Sequence, residues 1–258
     1  MKNRTGMSLA DALGVEPGAV VSLVGGGGKT TAMFRLAREL AARGLRVVTT
    51  TSTHISREQV ALSPAVVSTG DLSELGPLLD RHGQCLVAGA PDDRDRVFGS
   101  PPEEIALLAA RADVDVLVIE ADGSRSLPFK APAEHEPVVH PLTTLLVPVA
   151  GLDILGAPLC EEHVHRASRA AALAGVPEGV PVTEEIVARV LAHPLGGGKG
   201  RPDGARFVPL VNRADDEAAA ARGREILGLL VRCPGVDRAL LCSLLRPDPV
   251  VERRESSK

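Results

Sequence analysis

The chain has 258 residues, 44% of them apolar and 24% charged, with a formal charge of −4. That length and composition suit one sizeable globular core, and with no acidic or basic run neither nucleic acid nor an anionic membrane surface is an expected partner. Trp and Tyr are absent and Phe occurs four times, so the chain offers no aromatic platform for single-stranded nucleic acid.

The opening MKNRTGMSLADALGV contains no continuous apolar run, and "LTTLLVPVAGLDILGAPL" is interrupted by Pro148, Asp153 and Pro158. Neither a secretory leader nor a membrane span is expected, and the expected location is the cytoplasm. Cys85, Cys160, Cys233 and Cys242 make no C-x-x-C pair, which fits a reducing compartment and disfavours a cysteine-rich zinc site. From residue 20 onward short β-rich runs alternate with helical patterns. This predicts an α/β fold, a mainly parallel sheet flanked by helices, which the "GGGGKTT" run at 25–31 after the first strand makes one of the P-loop nucleoside triphosphatase type.

"AVVSLV" at 19–24 reads as a buried strand, and "KTTAMFRLARELAARG" as a helix with Met33, Leu36, Ala37 and Leu40 on one face. Then follow strands at "LRVVTTTST" and 65–68, a helix near 71–82, strand "QCLVAGA", a helix opened by Pro101-Pro102 and Glu103-Glu104, and the apolar strand "DVLVIE". Beyond a Pro-rich connection at 128–141, strand "TTLLVPVA" precedes helices over 161–174 and 183–192. Strand "RFVPLVNRA", a helix over 215–232 and strand "RALLCSL" close the pattern. One domain is expected over 1–250, with a helical insertion near 155–205; 251–258 reads as a flexible tail and "PLGGGKGRPDG", which contains Lys199, as a surface loop.

Between the first strand and helix, "SLVGGGGKTT" departs from G-x-x-x-x-G-K-[ST] only in placing Leu23 where the first glycine belongs. A phosphate cradle needs backbone N–H groups curled at a helix N-terminus, with glycine wherever φ is positive or the backbone must approach closely. Gly25, Gly26, Gly27 and Gly28 supply that freedom, while Leu23 packs under the sheet. Lys29 is expected at the β and γ phosphates, the Thr30 hydroxyl on Mg²⁺ and Thr31 beside the α-phosphate. The loop is similar to that of the Mur-type ATP-dependent amide ligases.

"VLVIEADG" ends the apolar strand in Glu120 and Asp122, at the carboxyl edge beside the phosphates. One carboxylate is expected in the magnesium shell and the other at the attacking water or an acceptor. Glu120-x-x-Gly123 mimics the D-x-x-G turn of GTPases, in which the glycine N–H meets the γ-phosphate. "LVNRAD" resembles the guanine-reading N-K-x-D motif through Asn212, Arg213 and Asp215, although Asp215 also suits a helix cap. In "TTTSTH", Thr51 or Thr53 could reach the metal or γ-phosphate, and His54 the acceptor. Arg125, Lys130, Asp153 and Arg166 are further candidates on the substrate side. His163 and His165, two apart, do not share a helix face and make a poor zinc pair.

Taken in order, "VVSLVGGGGKTT", "VVTTTSTHI", "VLVIEADGSRSLPFKAP", "GLDILGAPL" with "VHR", and "PLVNRADD" resemble the YqeC family over nearly the whole chain. The most specific part is "EADGSR" followed by "KAP". The resemblance implies a P-loop nucleotide-binding fold with Mg²⁺ and GTP or ATP, and a role in maturing selenium-dependent molybdenum hydroxylases, whose enzyme or cofactor would be the partner. Two further readings are a small-molecule kinase or Mur-type acyl-phosphate ligase, and a non-catalytic, nucleotide-gated docking protein.

Overall fold

The computed structural model describes residues 6–256. Helix α1 (Leu9–Leu13) is opened by the Ser8 side chain accepting the Asp11 N–H and closed by Gly14 in the left-handed region, and it leads into β1 (Val20–Gly25). Then follow α2 (Lys29–Ala41), β2 (Val47–Thr51), β3 (His54–Ser56), the one-turn helix α3 (Arg57–Val60), β4 (Val66–Ser68), α4 (Leu75–His82), β5 (Gln84–Ala88) and β6 (Arg96–Phe98). Next come α5 (Pro102–Ala109), β7 (Val116–Glu120), β8 (Phe129–Lys130), β9 (Leu145–Gly151), β10 (Val164–His165), α6 (Ala167–Ala174) and α7 (Glu184–Ala192). The chain closes with β11 (Arg206–Phe207), β12 (Leu210–Asn212), α8 (Glu217–Leu230), β13 (Arg238–Cys242) and β14 (Val250–Glu255).

The main sheet runs β14-β13-β12-β9-β1-β7-β2-β5-β4, with β11 on β9, and every pair in it is parallel except β13 with β14. Because side chains alternate across a strand, Val21 and Leu23 of β1 face one layer and Val20 and Val24 the other. The first layer is roofed by α1 and α2 through Leu9, Leu13, Met33, Leu36 and Leu40. On the opposite face α4 and α5 cover one half of the sheet, and α6, α7 and α8 the other. This is the expected three-layer α/β arrangement, and it buries Leu23 completely.

Several expectations need correction. Residues 251–255 are not a frayed tail: β14 pairs antiparallel with β13 in register Arg238↔Glu255 and Leu240↔Arg253. Its sequence is polar because edge pairing uses backbone bonds, supplemented by the Arg254 guanidinium on the Arg224 carbonyl at 3.0 Å. The last two residues lie outside the described range. The helix expected over 161–174 begins only at Ala167, because the Glu161 carboxylate accepts from the N–H groups of Arg166 and Ala167 (3.2 and 2.7 Å) and Arg166 sits at φ 65°. "RFVPLVN" is two strands, interrupted at Pro209, which has no N–H for the ladder. A small antiparallel pair of β3 and β6 and the short parallel pair β8/β10 add structure where a loop and a helix were expected.

Candidate functional site

Gly25, Gly27 and Gly28 adopt φ 95°, 75° and 133° in the turn between β1 and α2. An added Cβ at Gly25 would lie 2.3 Å from the Val149 carbonyl oxygen, and one at Gly27 would lie 2.2 Å from the Gly151 nitrogen, so both conformation and space require glycine. The N–H groups divide sharply. Gly25 donates to both Asp122 oxygens (3.1 and 3.0 Å), Gly26 to the Val149 carbonyl (2.9 Å) and Gly27 to the Leu127 carbonyl (3.2 Å). Gly28, Lys29, Thr30 and Thr31 precede the first intrahelical acceptor bond, made by Ala32 N–H to the Gly28 carbonyl. Their N–H groups make no other bond among the described residues and open on a cleft. The first three glycines therefore shape the loop, and the donors lie one step later than the glycine run itself suggests.

Lys29 is buried, and its ammonium rests on the Gly25 carbonyl at 2.8 Å, 3.5 Å from Glu120 and 3.3 Å from Asp122. Burial opposes its charge, but the two carboxylates outweigh it and leave its pKa raised. The Thr30 hydroxyl donates to Glu120 at 2.7 Å and accepts from the Gln59 amide at 3.1 Å. Glu120 ends β7, which pairs with β1 in register Leu23↔Glu120, and this adjacency brings acid and hydroxyl together.

The cleft has a volume of about 850 Å³; Gly27 to Thr31 and Glu120 line it, with His54, Gly123, Arg125 and Arg213. Other candidates lie behind its wall. Asp122 is buried between Lys29 and Lys130 (3.3 and 3.0 Å), with its oxygens on the Gly25 N–H, so it braces the loop instead of facing the cleft. Thr51 is buried too, its hydroxyl on the Glu120 carbonyl at 2.8 Å. Lys130 bonds the Gly123 carbonyl (2.7 Å) and Glu136 (2.8 Å), and Arg166 holds Glu136 through two bonds of 2.6 and 3.0 Å. Burial works against charge on Glu136, yet Arg166 and Lys130 outweigh it and hold the carboxyl at about 2. His165, beside them, is pushed down to about 4 by burial, then by Arg166, Lys130 and Arg125.

The "NRAD" segment is also divided. Asn212 is buried, its amide nitrogen donating to the Gly27 carbonyl (2.8 Å) and its oxygen accepting from the Leu244 N–H (3.1 Å), so it ties β12 to the glycine loop. Arg213, at φ 70°, reaches the cleft rim and pairs with Asp153. Asp215 accepts from the Ser243 hydroxyl and is not the helix cap; Asp216 caps α8 by accepting the Ala219 N–H at 2.8 Å. Sequence reasoning missed Gln59, Arg94, Ser124 and Ser126 on the cleft wall. Gln59 was legible as the last position of the capping box Ser56-x-x-Gln59, and Ser124 and Ser126 as the neighbours of Arg125 in "EADGSRS", whereas nothing local marks Arg94.

Chemically, four open N–H groups at a helix start with a buried ammonium suit a polyphosphate, and a hydroxyl beside a carboxylate offers the hard oxygen donors that Mg²⁺ prefers. Among the described residues no helix is long and apolar enough to cross a membrane. A family model described as YqeC protein matches residues 21–168. The protein called "Uncharacterized protein YqeC" of Escherichia coli (strain K12) is 37% identical over 215 residues, 81% of each chain. Among solved structures, chloroplast FtsY from Physcomitrella patens is similar at a TM-score of 0.31 and 14% identity, over 92% of this chain and 53% of that one.

Proposed function

The chain belongs to the YqeC family, and from that premise we propose that it is a Mg²⁺-dependent protein that binds and hydrolyses a nucleoside triphosphate, ATP or GTP, to serve the maturation of selenium-dependent molybdenum hydroxylases. The observation that carries the nucleotide reading is the convergence of the unpartnered N–H groups of Gly28 to Thr31, the Lys29 ammonium and the Thr30–Glu120 pair at 2.7 Å on one cleft. The maturation role follows the family resemblance.

In this reading the phosphates lie over the start of α2, and Lys29 leaves the Gly25 carbonyl to meet the β and γ phosphates. Thr30 and Glu120 would hold Mg²⁺, which supplies charge neutralisation at the phosphates. Asp122 keeps the loop in shape through the Gly25 N–H, and Thr51 fixes the carbonyl end of Glu120. Gln59, at 3.1 Å from the Thr30 hydroxyl, is placed to orient a water at the same edge.

Calorimetry with ATP and GTP analogues and Mg²⁺ tests this directly. Lys29→Ala should abolish tight binding, and unchanged affinity would overturn the assignment. Asp215→Asn, compared in the same titration, reports whether Asp215 reads guanine: a tenfold preference for GTP, about 1.4 kcal/mol, should vanish in the variant if it does. A second reading, transfer to a small acceptor instead of water, is favoured by the extension of the cleft past the glycine loop to His54 and Arg125. Nucleotide binding without turnover would instead favour the docking protein.

A further inference from the structure

The protein is acidic overall, at −4, yet six cations and only three carboxylates line this cleft. Lys29 and Glu120 belong to the nucleotide reading; the surplus lies elsewhere. Arg96 is neutralised by Asp92 (2.9 and 2.7 Å), Arg213 by Asp153, and Arg57 faces Asp95 at 3.8 Å. Arg94 and Arg125 are exposed, and among the described residues neither guanidinium has a carboxylate within 4 Å or a side-chain hydrogen bond. Two guanidinium groups without carboxylate partners in the lining of one cleft leave positive charge there that an anion would neutralise.

Their supports are built structures. Arg94 sits on the turn between β5 and β6, where Asp92 accepts the N–H groups of Arg94 and Arg96 at 2.9 Å each. Arg125 and Ser126 both hold positive φ, 52° and 61°, in a turn closed by Leu127 N–H on the Ser124 carbonyl at 3.0 Å. Non-glycine residues in that region are strained, and the turn is fixed because the Leu127 carbonyl accepts from Gly27. Arg125 is therefore held close to the glycine loop. Arg94 enters from the far side: β5 is three strands from β1 in the sheet, a lateral distance of roughly 14 Å.

From this arrangement we infer that the outer part of the cleft is a second anion subsite, which takes a phosphate-bearing co-substrate beside the nucleotide. Arg94 and Arg125 are its principal cations, with His54 and the hydroxyls of Ser124 and Ser126 as further donors. Two guanidinium forks and two hydroxyls offer more donors than the two oxygens of a carboxylate can use, and match the three-oxygen face of a phosphate. The subsite deepens the proposed function, since it rests on the glycine loop binding the nucleotide.

Pyrophosphate titrated by calorimetry into protein saturated with a fluorescent, non-hydrolysable Mg²⁺-nucleotide analogue tests the subsite. The wild type should bind one pyrophosphate without releasing the analogue. The double variant Arg94→Ala/Arg125→Asn, chosen because asparagine tolerates positive φ, should lose at least tenfold in pyrophosphate affinity and less than twofold in analogue affinity. Absence of pyrophosphate binding, binding only by displacement of the analogue, or equal binding by the variant overturns the inference. A tenfold loss of analogue affinity in the variant also overturns it, because the arginines would then serve the nucleotide itself. If the wild type binds no analogue, the proposed function fails separately. Pyrophosphate titrated into the unliganded protein then decides the subsite: loss in the arginine variant sustains it, and equal or absent binding overturns it.

Discussion

Glu120 and Asp122 are two residues apart and both touch Lys29, yet β7 ends at Glu120 and the turn after it gives them different work. Glu120 faces the cleft with the Thr30 hydroxyl, whereas Asp122 is sealed between Lys29 and Lys130. Glu120→Gln keeps an oxygen for Thr30 and removes the charge that a cation needs. On the proposed function, Mg²⁺-dependent phosphate release should fall by at least about 10²-fold, while metal-free nucleotide binding stays level or strengthens as a repulsive carboxylate disappears. Phosphate-release assays across a Mg²⁺ titration check this, and an unaltered metal dependence would remove Glu120 from the metal site. Asp122→Asn should act on the fold instead: an amide can still accept the Gly25 N–H, but buried Lys130 and Lys29 lose a counter-charge. A destabilisation of about 3 kcal/mol or more is expected, read by denaturant unfolding, against a much smaller change for Glu120→Gln.

At the scale of elements, the glycine loop is held by neighbours distant in sequence: β9 through Val149 and Gly151, the 124–129 turn through Leu127, and β12 through Asn212. Asn212→Ala would leave the Gly27 carbonyl and the Leu244 N–H without partners, at about 1–3 kcal/mol for each group left buried. A melting temperature lower by several degrees, with weakened nucleotide binding, is the expected result; unchanged melting would show that the tether is dispensable. The same geometry explains what could be read from the chain. β1, α2 and β7 were legible because their apolar periodicity and the loop glycines are local signals. The division of labour was not, since the open donors begin only at Gly28, once Val149 and Leu127 have taken the preceding N–H groups. Asp215 looked like a cap, but the cap lies one residue later, at Asp216, and the helix begins at Glu217. β14 was hidden because an edge strand with sequence VVERRE shows no buried face, and Arg94 because only the tertiary fold brings its turn to the cleft, whereas Arg125 was legible directly after the acidic strand.

Across the whole molecule, an ionic chain runs from the glycine loop into the segment between β9 and β11 that carries α6 and α7. Lys29, Asp122, Lys130, Glu136 and Arg166 are linked successively at 3.3, 3.0, 2.8 and 2.6 Å, and Arg166 stands at the start of α6. On the proposed function, withdrawal of Lys29 toward a nucleotide would leave Asp122 with Lys130 as its one counter-charge among the described residues, at the head of this chain. The ionic chain also makes the fold acid-sensitive. His165 adjoins Arg166, Lys130, Arg125 and Glu136, and its pKa falls from 6.5 to about 4 in the fold through burial and then the three cations, with Glu136 only partly opposing. Between those values the unfolded chain binds the extra proton, so stability is full above 6.5 and is lost as pH falls toward 4. Glu136 moves from 4.5 to about 2 and continues the loss in the same direction over the next window, each group contributing on the order of 3 kcal/mol. Melting temperature should therefore decline in two adjoining stages on acidification. His165→Gln, which has no proton to take up, should flatten the profile between pH 6.5 and 4.5 and leave the lower stage intact; a variant that keeps the wild-type slope in that upper window would show that His165 is not its source.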